Sequence, residues 1–520
     1  MDAPPPPPPN LARGAAAAGL ASALGRIAGL FRDIAFAAIF GAGAAADAWN
    51  AASRVPNLFR EVLAEGSLAN IFVPLFARAR AAEGPAAGWA LANAVLGLLL
   101  GVLGLLTLAF VLFAEPLSLL VASGYGADPA KLALTATLTR YLAPVLAGAS
   151  LTAFFGGMNN VQGRFTLPAL APALLNLAGI AGALLGPWIE ARSGVPAIVT
   201  LAIATSAAGL LTAAILLPPL MQAGYRPWPR LTWSPALAEA ARFFGAGLIG
   251  AAIVQWSLLV ESQVASRLGE GPLSHLLYGF RLVQLPQTIV AGSLATATLA
   301  TLSQHLAVGD ASAARAAATR GIELTSLLVL PAAVGMGLLA EPLIALFYER
   351  GAFLPADTLA TAAVLRGYAV ATVGICLYRV LLPIFFALKD PYLPMRLGLG
   401  VALVKLPLAL FLTDQLGIIG LPLSHALTVS VEVAILLALL GRRLGGLSPG
   451  WFGQQLRIAA AAALMGLLLW PLRDQAPGLW VLPLCGLGAL AYGLAAALLG
   501  VRALRPLLAR LRPPPPPGRR

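Results

Sequence analysis

Apolar residues run along this chain in long blocks separated by short polar breaks. The blocks cover residues 20–42, 47–78, 87–113, 131–160, 166–189, 195–221, 235–265, 273–304, 320–347, 357–387, 392–412, 417–441, 453–472 and 479–501. Each is close to or above the roughly 20 residues that a helix needs to cross hydrocarbon. The pattern predicts an all-α polytopic membrane protein of about fourteen transmembrane helices. The proline runs Pro4–Pro9 and Pro513–Pro517 favour extended polyproline geometry and lie outside the bilayer. The connection Gln222–Pro235, with Pro227, Pro229, Arg226 and Arg230, is the most polar central break and divides the helices into two lobes. The expected plan is a Pro-rich N-tail (1–19), an N-terminal lobe (20–222), a linker (223–235), a C-terminal lobe (236–445), two further helices (446–502) and a basic Pro-rich C-tail (503–520). Gly66-Ser67-Leu68-Ala69 recurs as Gly292-Ser293-Leu294-Ala295. In a chain so rich in Ala, Leu and Gly, chance explains that recurrence better than a decayed two-lobe repeat.

Composition agrees with the pattern. Charged residues make up 11% of the chain and hydrophobic ones 59%, too few polar groups to cover a water-soluble fold of this size. The formal net charge is +13, but no polar domain gathers it, which removes most of the case for a nucleic-acid partner. Lys and Arg distribute unevenly between alternate connections. One set, including Arg78, Arg80, Arg164, Arg226, Arg230, Lys389, Arg396 and the C-tail, holds 19, and the other holds 5. That asymmetry predicts an even number of spans with both termini in the cytoplasm.

Charges inside the apolar blocks carry the chemistry, because each costs at least about 2.5–3.5 kcal/mol at bilayer depth. The first block holds Arg26, Arg32 and Asp33; the second holds Asp47, Arg54, Arg60, Glu61 and Glu65; the eighth holds Arg281. Arg26 and Asp33 are seven residues apart, as are Asp47 and Arg54, so each pair shares a helix face. Two such polar stripes, closed by Arg281, would line a hydrated cationic central cavity suited to a phosphate or diphosphate. Asp33, Asp47 and Glu65 would then pair with Arg across the lobes in one conformation and release them in another. Motifs for catalysis are missing: there is no P-loop, no HExxH, and His275, His305 and His425 lie far apart. Cys376 and Cys485 have no disulfide or zinc spacing, so neither a cofactor nor a metal is expected. Gly245-Ala246-Gly247-Leu248-Ile249-Gly250 fits G-x-G-x-x-G, but within an apolar helix it reads as close helix packing.

The N-terminal blocks are more specific. Gly25-Arg26-Ile27-Ala28-Gly29-Leu30-Phe31-Arg32-Asp33, Phe40-Gly41-Ala42-Gly43, Ala46-Asp47-Ala48, Arg54-Val55-Pro56-Asn57-Leu58-Phe59-Arg60 and Ala64-Glu65-Gly66 closely resemble the MurJ/MviN family of lipid II flippases. That family belongs to the multidrug/oligosaccharidyl-lipid/polysaccharide exporter superfamily. Arg164-Phe165 with Pro168 and Pro172 to Asn176, and Arg281-Leu282 with Pro286, extend the resemblance over most of the chain. It implies alternating access between two lobes in the bacterial inner membrane, in service of peptidoglycan synthesis, cell-wall biogenesis and cell shape. The partners implied are lipid II (undecaprenyl diphosphate-linked muropeptide), membrane lipids and the cell-wall synthesis machinery. Carried over by position, Arg26, Arg32, Arg60 and Arg281 would bind substrate, while Asp33, Asp47 and Glu65 would form gating ion pairs. The last two helices, with Trp451, Trp470 and Trp480, resemble the family's groove for the polyprenyl tail. Ala300 stands where the family usually has a Pro, which implies a straighter eighth helix. Glu261 and Lys405 would approach each other, the ammonium taking roughly the place of the sodium ion bound in relatives. Export of another polyprenyl-linked saccharide, or of drugs, by a member of the same superfamily is the alternative.

Overall fold

The computed structural model describes residues 9–60, 72–230, 256–475 and 478–504, and among them all regular structure is helical. Helix occurs in each of the fourteen apolar blocks, two of which (47–78 and 235–265) are described only in part. The elements are α1 (Pro9–Phe40), α2 (Ala44–Arg60), α3 (Val73–Glu83), α4 (Pro85–Leu112), α5 (Ala114–Val121), α6 (Pro129–Val161), α7 (Thr166–Ser193), α8 (Ala197–Ile215) and α9 (Leu217–Gln222). Then follow α10 (256–265), α11 (Pro272–Pro286), α12 (Gly292–Ala307), α13 (Ala311–Leu338), α14 (Ala340–Tyr348), α15 (Pro355–Ala387), α16 (Tyr392–Leu416), α17 (Gly420–Arg443), α18 (Trp451–Leu469) and α19 (Val481–Leu498). Ten stretches among the described residues are long and apolar enough to cross a membrane. One of these, Tyr392–Arg443, holds both α16 and α17, separated at Gly417, whose φ of 64° favours glycine. The Gly245–Gly250 motif, Gly66–Ala69 and Glu65 fall outside the described residues.

The chain folds as two compact units. One comprises Met1–Leu273 with Arg350–Phe353, the other Ser274–Glu349 with Leu354–Arg520. The same helix plan is written in both. Helices α4, α6 and α7 begin at 85, 129 and 166; α13, α15 and α16 begin at 311, 355 and 392, each 226 residues later. The ends of α4 and α6, at 112 and 161, recur at 338 and 387 with the same spacing. Ala114-Glu115-Pro116-Leu117 opens α5 and Ala340-Glu341-Pro342-Leu343 opens α14, again 226 apart. The residue before each breaks the longer helix alike, Phe113 at φ −105°, ψ 26° and Leu339 at φ −97°, ψ 23°. The packing repeats too: α4, α5 and α8 lie on α6 as α13, α14 and α17 lie on α15. Gly66–Ala69 and Gly292–Ala295 have this same 226-residue offset, so the recurrence that chance alone could explain is one mark of an internal duplication.

In the N-terminal unit, α1 packs along α7. The Asn176 Nδ2 group donates to the Gly25 carbonyl at 2.9 Å, and a Cβ on Gly29 would stand 3.2 Å from that amide nitrogen. Small residues four apart on α1 therefore let the helices close, as they do between membrane helices generally. Asp128 caps α6 by accepting from the backbone N–H groups of Ala130 and Lys131. In the same unit, Ala352 N–H donates to the Ala38 carbonyl at 2.8 Å, and Gly41 and Gly351, both at φ 60°, leave no room there for a Cβ.

In the C-terminal unit, α18 and α19 lie beyond the duplicated plan and pack on α13 through Leu327, Ile458, Met465 and Val481. The Tyr492 hydroxyl donates to the Leu327 carbonyl at 2.8 Å. Between α11 and α12, Gln287–Ala291 form a π-helical turn directly after Pro286. The eighth span thus carries an irregularity at Gln287–Ala291, while α12 runs unbroken through Ala300. Pro286 has no N–H to bond back and its ring crowds the preceding turn, so the irregularity arises there.

Candidate functional site

The first two helices present their charges differently from one another. On α1, Arg26 is exposed, while Arg32 lies with its stem against Gly179 of α7. Arg32 Nη2 donates to Asp33 Oδ1 at 2.7 Å and Nε donates to the same oxygen at 3.1 Å. The seven-residue spacing puts Asp33 on the face of Arg26, and its sequence neighbour Arg32 is one of its partners. Arg54 and Arg60 on α2 are half-buried.

Asp47 sits at the start of α2 and is buried, at 1% exposure. Lys131 Nζ, at the start of α6, donates to Asp47 Oδ2 at 2.9 Å, and the Gly271 backbone N–H donates to the same oxygen at 2.8 Å. The ammonium also stands 4.4 Å from the centroid of the Tyr125 ring and donates to the Gly269 carbonyl at 3.4 Å. Burial, and after it the Asp47 carboxylate, hold the Tyr125 phenol above its ordinary range. Gln263 on α10 donates to the carbonyls of Leu119 and Leu120, and its own oxygen accepts from Ser123 N–H at 3.2 Å. A Cβ on Gly124 would come within 2.2 Å of the Ser266 carbonyl oxygen. One end of the N-terminal unit is thus a closed polar knot that joins α2, α6, the 122–128 loop and the end of α10.

In the C-terminal unit Arg281, on α11, is exposed and donates to Gln284 at 3.1 Å. Arg366 and Arg379 on α15 are exposed as well; Arg366 lies 3.7 Å from Glu341 of α14, and Arg379 reaches the π-helical turn at Gly292. Lys405 on α16 is 1% exposed and its ammonium donates to His425 Nδ1 on α17 at 3.2 Å. Glu261 is buried on α10, in the N-terminal unit. His275 at the start of α11 is hydrogen-bonded to Thr361 at 2.9 Å, and Asp357 stands 3.9 Å from its other ring nitrogen.

Sequence reasoning missed Lys131 as a partner of Asp47, because a lone Lys in a predicted connection reads as solvated. It also missed the Lys405–His425 and His275–Thr361 contacts, which join helices 20 and 86 residues apart in the chain. One signal was available for Lys131: it follows the Asp128-Pro129 helix start, and the chain has only three Lys among its 34 basic residues.

The fold is that of a polytopic, all-helical membrane protein. An inward-facing multidrug transporter of the MATE family in the MOP superfamily superposes with a TM-score of 0.68 at 16% identity, over 82% of this chain and 94% of that one. A solved lipid II flippase MurJ in an inward closed conformation superposes with a TM-score of 0.80 at 22% identity, over 94% of this chain and 99% of that chain. The family model described as lipid II flippase MurJ matches residues 36–485. A probable lipid II flippase MurJ of Bdellovibrio bacteriovorus is 38% identical over 82% of this chain and 80% of its own length. The lipid II flippase MurJ of Burkholderia cenocepacia is 32% identical over 86% and 87%. The chain belongs to the MurJ family and is a multi-pass protein of the inner membrane.

Proposed function

We propose that this protein carries lipid II from the cytoplasmic to the periplasmic leaflet by alternating access, as a transporter and not an enzyme, with both termini in the cytoplasm. The observation that carries the reading is the exposure of Arg281 on a stretch long and apolar enough to span the membrane. A guanidinium there needs water or an anion beside it, and its planar fork matches diphosphate oxygens. Arg26, Arg32 and Arg60 supply the same chemistry from α1 and α2. Asp33, Asp47 and Glu65 act as competitors for these cations, so that substrate binding favours one conformation over another. The Lys405 ammonium takes the place of a bound inorganic cation, with Glu261 as its proposed counter-charge. The cell-wall synthesis machinery is the source and consumer of the lipid.

The test is the sidedness of lipid II. Cells depleted of their own flippase and supplied with this chain should display lipid II at the periplasmic face; continued accumulation on the cytoplasmic side, with the protein inserted at normal level, defeats the proposal. The MATE-like fold keeps a second reading, drug export, which predicts lowered accumulation of cationic dyes and no restoration of lipid II.

A further inference from the structure

The chain leaves α9 at Gln222 and runs directly onto α4. Residues 225–230 are strapped there by a single residue, Asn93, through its side chain and its backbone carbonyl. Asn93 Nδ2 donates to the Arg226 carbonyl at 3.0 Å, Trp228 N–H donates to Asn93 Oδ1 at 3.1 Å, and Arg230 N–H donates to the Asn93 carbonyl at 3.1 Å. One turn further along α4, a Cβ on Gly97 would fall 2.5 Å from the Arg230 carbonyl oxygen, so only glycine admits the strap. Upstream the strap is nailed by Tyr225, which is fully buried with its ring 5.1 Å from Trp89, while Arg80 of α3 stands 5.2 Å over that same Trp89 ring. Pro227 and Pro229 fix φ and offer no backbone donors. The backbone of residues 225–230 is therefore fixed to its unit.

Its side chains are turned the other way. Arg226 and Arg230 are exposed, and Trp228 lies between them at 66% exposure. Arg164, exposed just past the end of α6, donates to the Pro219 carbonyl of α9, and Arg78 is exposed on α3, so with Arg80 this end of the unit gathers five arginines against the carboxylate of Glu83 among the described residues. The site lies at membrane-surface depth for a simple reason. Helices α8 and α9 form one span-length stretch, Ala197–Gln222, and the strap starts within four residues of its end. An indole flanked by guanidiniums at that depth has the chemistry of an interfacial anchor, with the ring among the headgroups and the cations on phosphate. We propose that the Arg226–Arg230 strap is a docking surface for anionic phospholipid headgroups, held in its binding shape by Asn93 and Gly97. It is distinct from the substrate cations on α1, α2 and α11.

The experiment uses the full-length protein in nanodiscs of phosphatidylcholine alone or mixed equally with phosphatidylglycerol, with the bromine carried near the headgroup on one lipid at a time. Trp228 quenching is read as the difference between the wild type and Trp228→Phe. Quenching by the brominated phosphatidylglycerol should exceed that by brominated phosphatidylcholine. Arg226→Gln and Arg230→Gln should each reduce that preference about fivefold. Asn93→Leu leaves both arginines and the indole in the chain but removes the two side-chain bonds that hold the Arg226–Trp228 stretch, and should also reduce it. Equal quenching by the two lipids overturns the proposal, as does an unchanged preference in the Arg226→Gln/Arg230→Gln double variant, which alters only exposed side chains and so keeps the fold. A preference retained in Asn93→Leu while lost in the double variant overturns the part assigned to the clamp.

Discussion

Among single residues, Asp47 and Lys131 make the sharpest demand on the fold. Both are buried, at 1% and 5% exposure, and each satisfies the other at 2.9 Å. Removing one partner of such a pair strands a charge, which costs about 3–5 kcal/mol, whereas replacing both costs far less. Lys131→Met should therefore lower the unfolding temperature of the detergent-solubilised protein well below that of an exposed control such as Lys389→Met, and adding Asp47→Asn should recover part of the loss. A Lys131→Met protein as stable as the control excludes the pair. The substrate cations make a different demand: Arg281→Ala and Arg60→Ala should insert normally yet fail to support growth of flippase-depleted cells, with Lys giving partial rescue because it lacks the bidentate fork. Full complementation by both Ala variants refutes the assignment. The residues of this site were readable in the sequence because a charge within an apolar block is conspicuous. Their partners were not: Lys131 meets Asp47 across 84 residues of chain, and nothing in local spacing encodes that approach.

At the scale of helices, the blocks were legible because a span must bury about 20 residues in hydrocarbon, a stronger signal than amphipathic periodicity. What the blocks hide is where helices touch, since lipid-facing and helix-facing positions are both apolar. The α6–α8 crossing shows what decides it. A Cβ added to Gly148 would lie 2.4 Å from the Gly209 carbonyl carbon, with backbone and no flexible side chain in the way. A Cβ on Gly209 would meet Gly148 Cα at an ordinary 3.6 Å. Gly148→Ala should thus force the helices apart and destabilise by roughly 1–3 kcal/mol, while Gly209→Ala stays near neutral. Equal melting temperatures for the two variants contradict the crossing. The π-helical turn after Pro286 was likewise unmarked, because a proline predicts an irregularity without fixing its form.

For the molecule as a whole, the duplicated helix plan makes a topological prediction. Counted over the fourteen apolar blocks, the block of α4 is the third and that of α13 the ninth, so six crossings separate equivalent helices. An even number returns each turn to the side of its counterpart, which makes this a repeat of parallel orientation. The turns at Gly163 and Lys389, 226 residues apart and both at positive φ, must then emerge on one face. The turns at Gly194 and Gly417, after α7 and α16, must emerge on the other. Charge says which is which: Arg164, Lys389 and Arg396 belong to the Arg-rich set of connections, and Arg192 to the poor one. After Cys376 and Cys485 are replaced by Ser, single cysteines at Gly163 and Lys389 should resist a membrane-impermeant maleimide in intact spheroplasts and react only after lysis. Cysteines at Gly194 and Gly417 should react at once. A split within either pair removes the parallel repeat, since it requires an odd number of crossings between the halves. Reversal of both pairs together keeps the repeat but turns the protein over, and would place the basic strap on α4 on the periplasmic side.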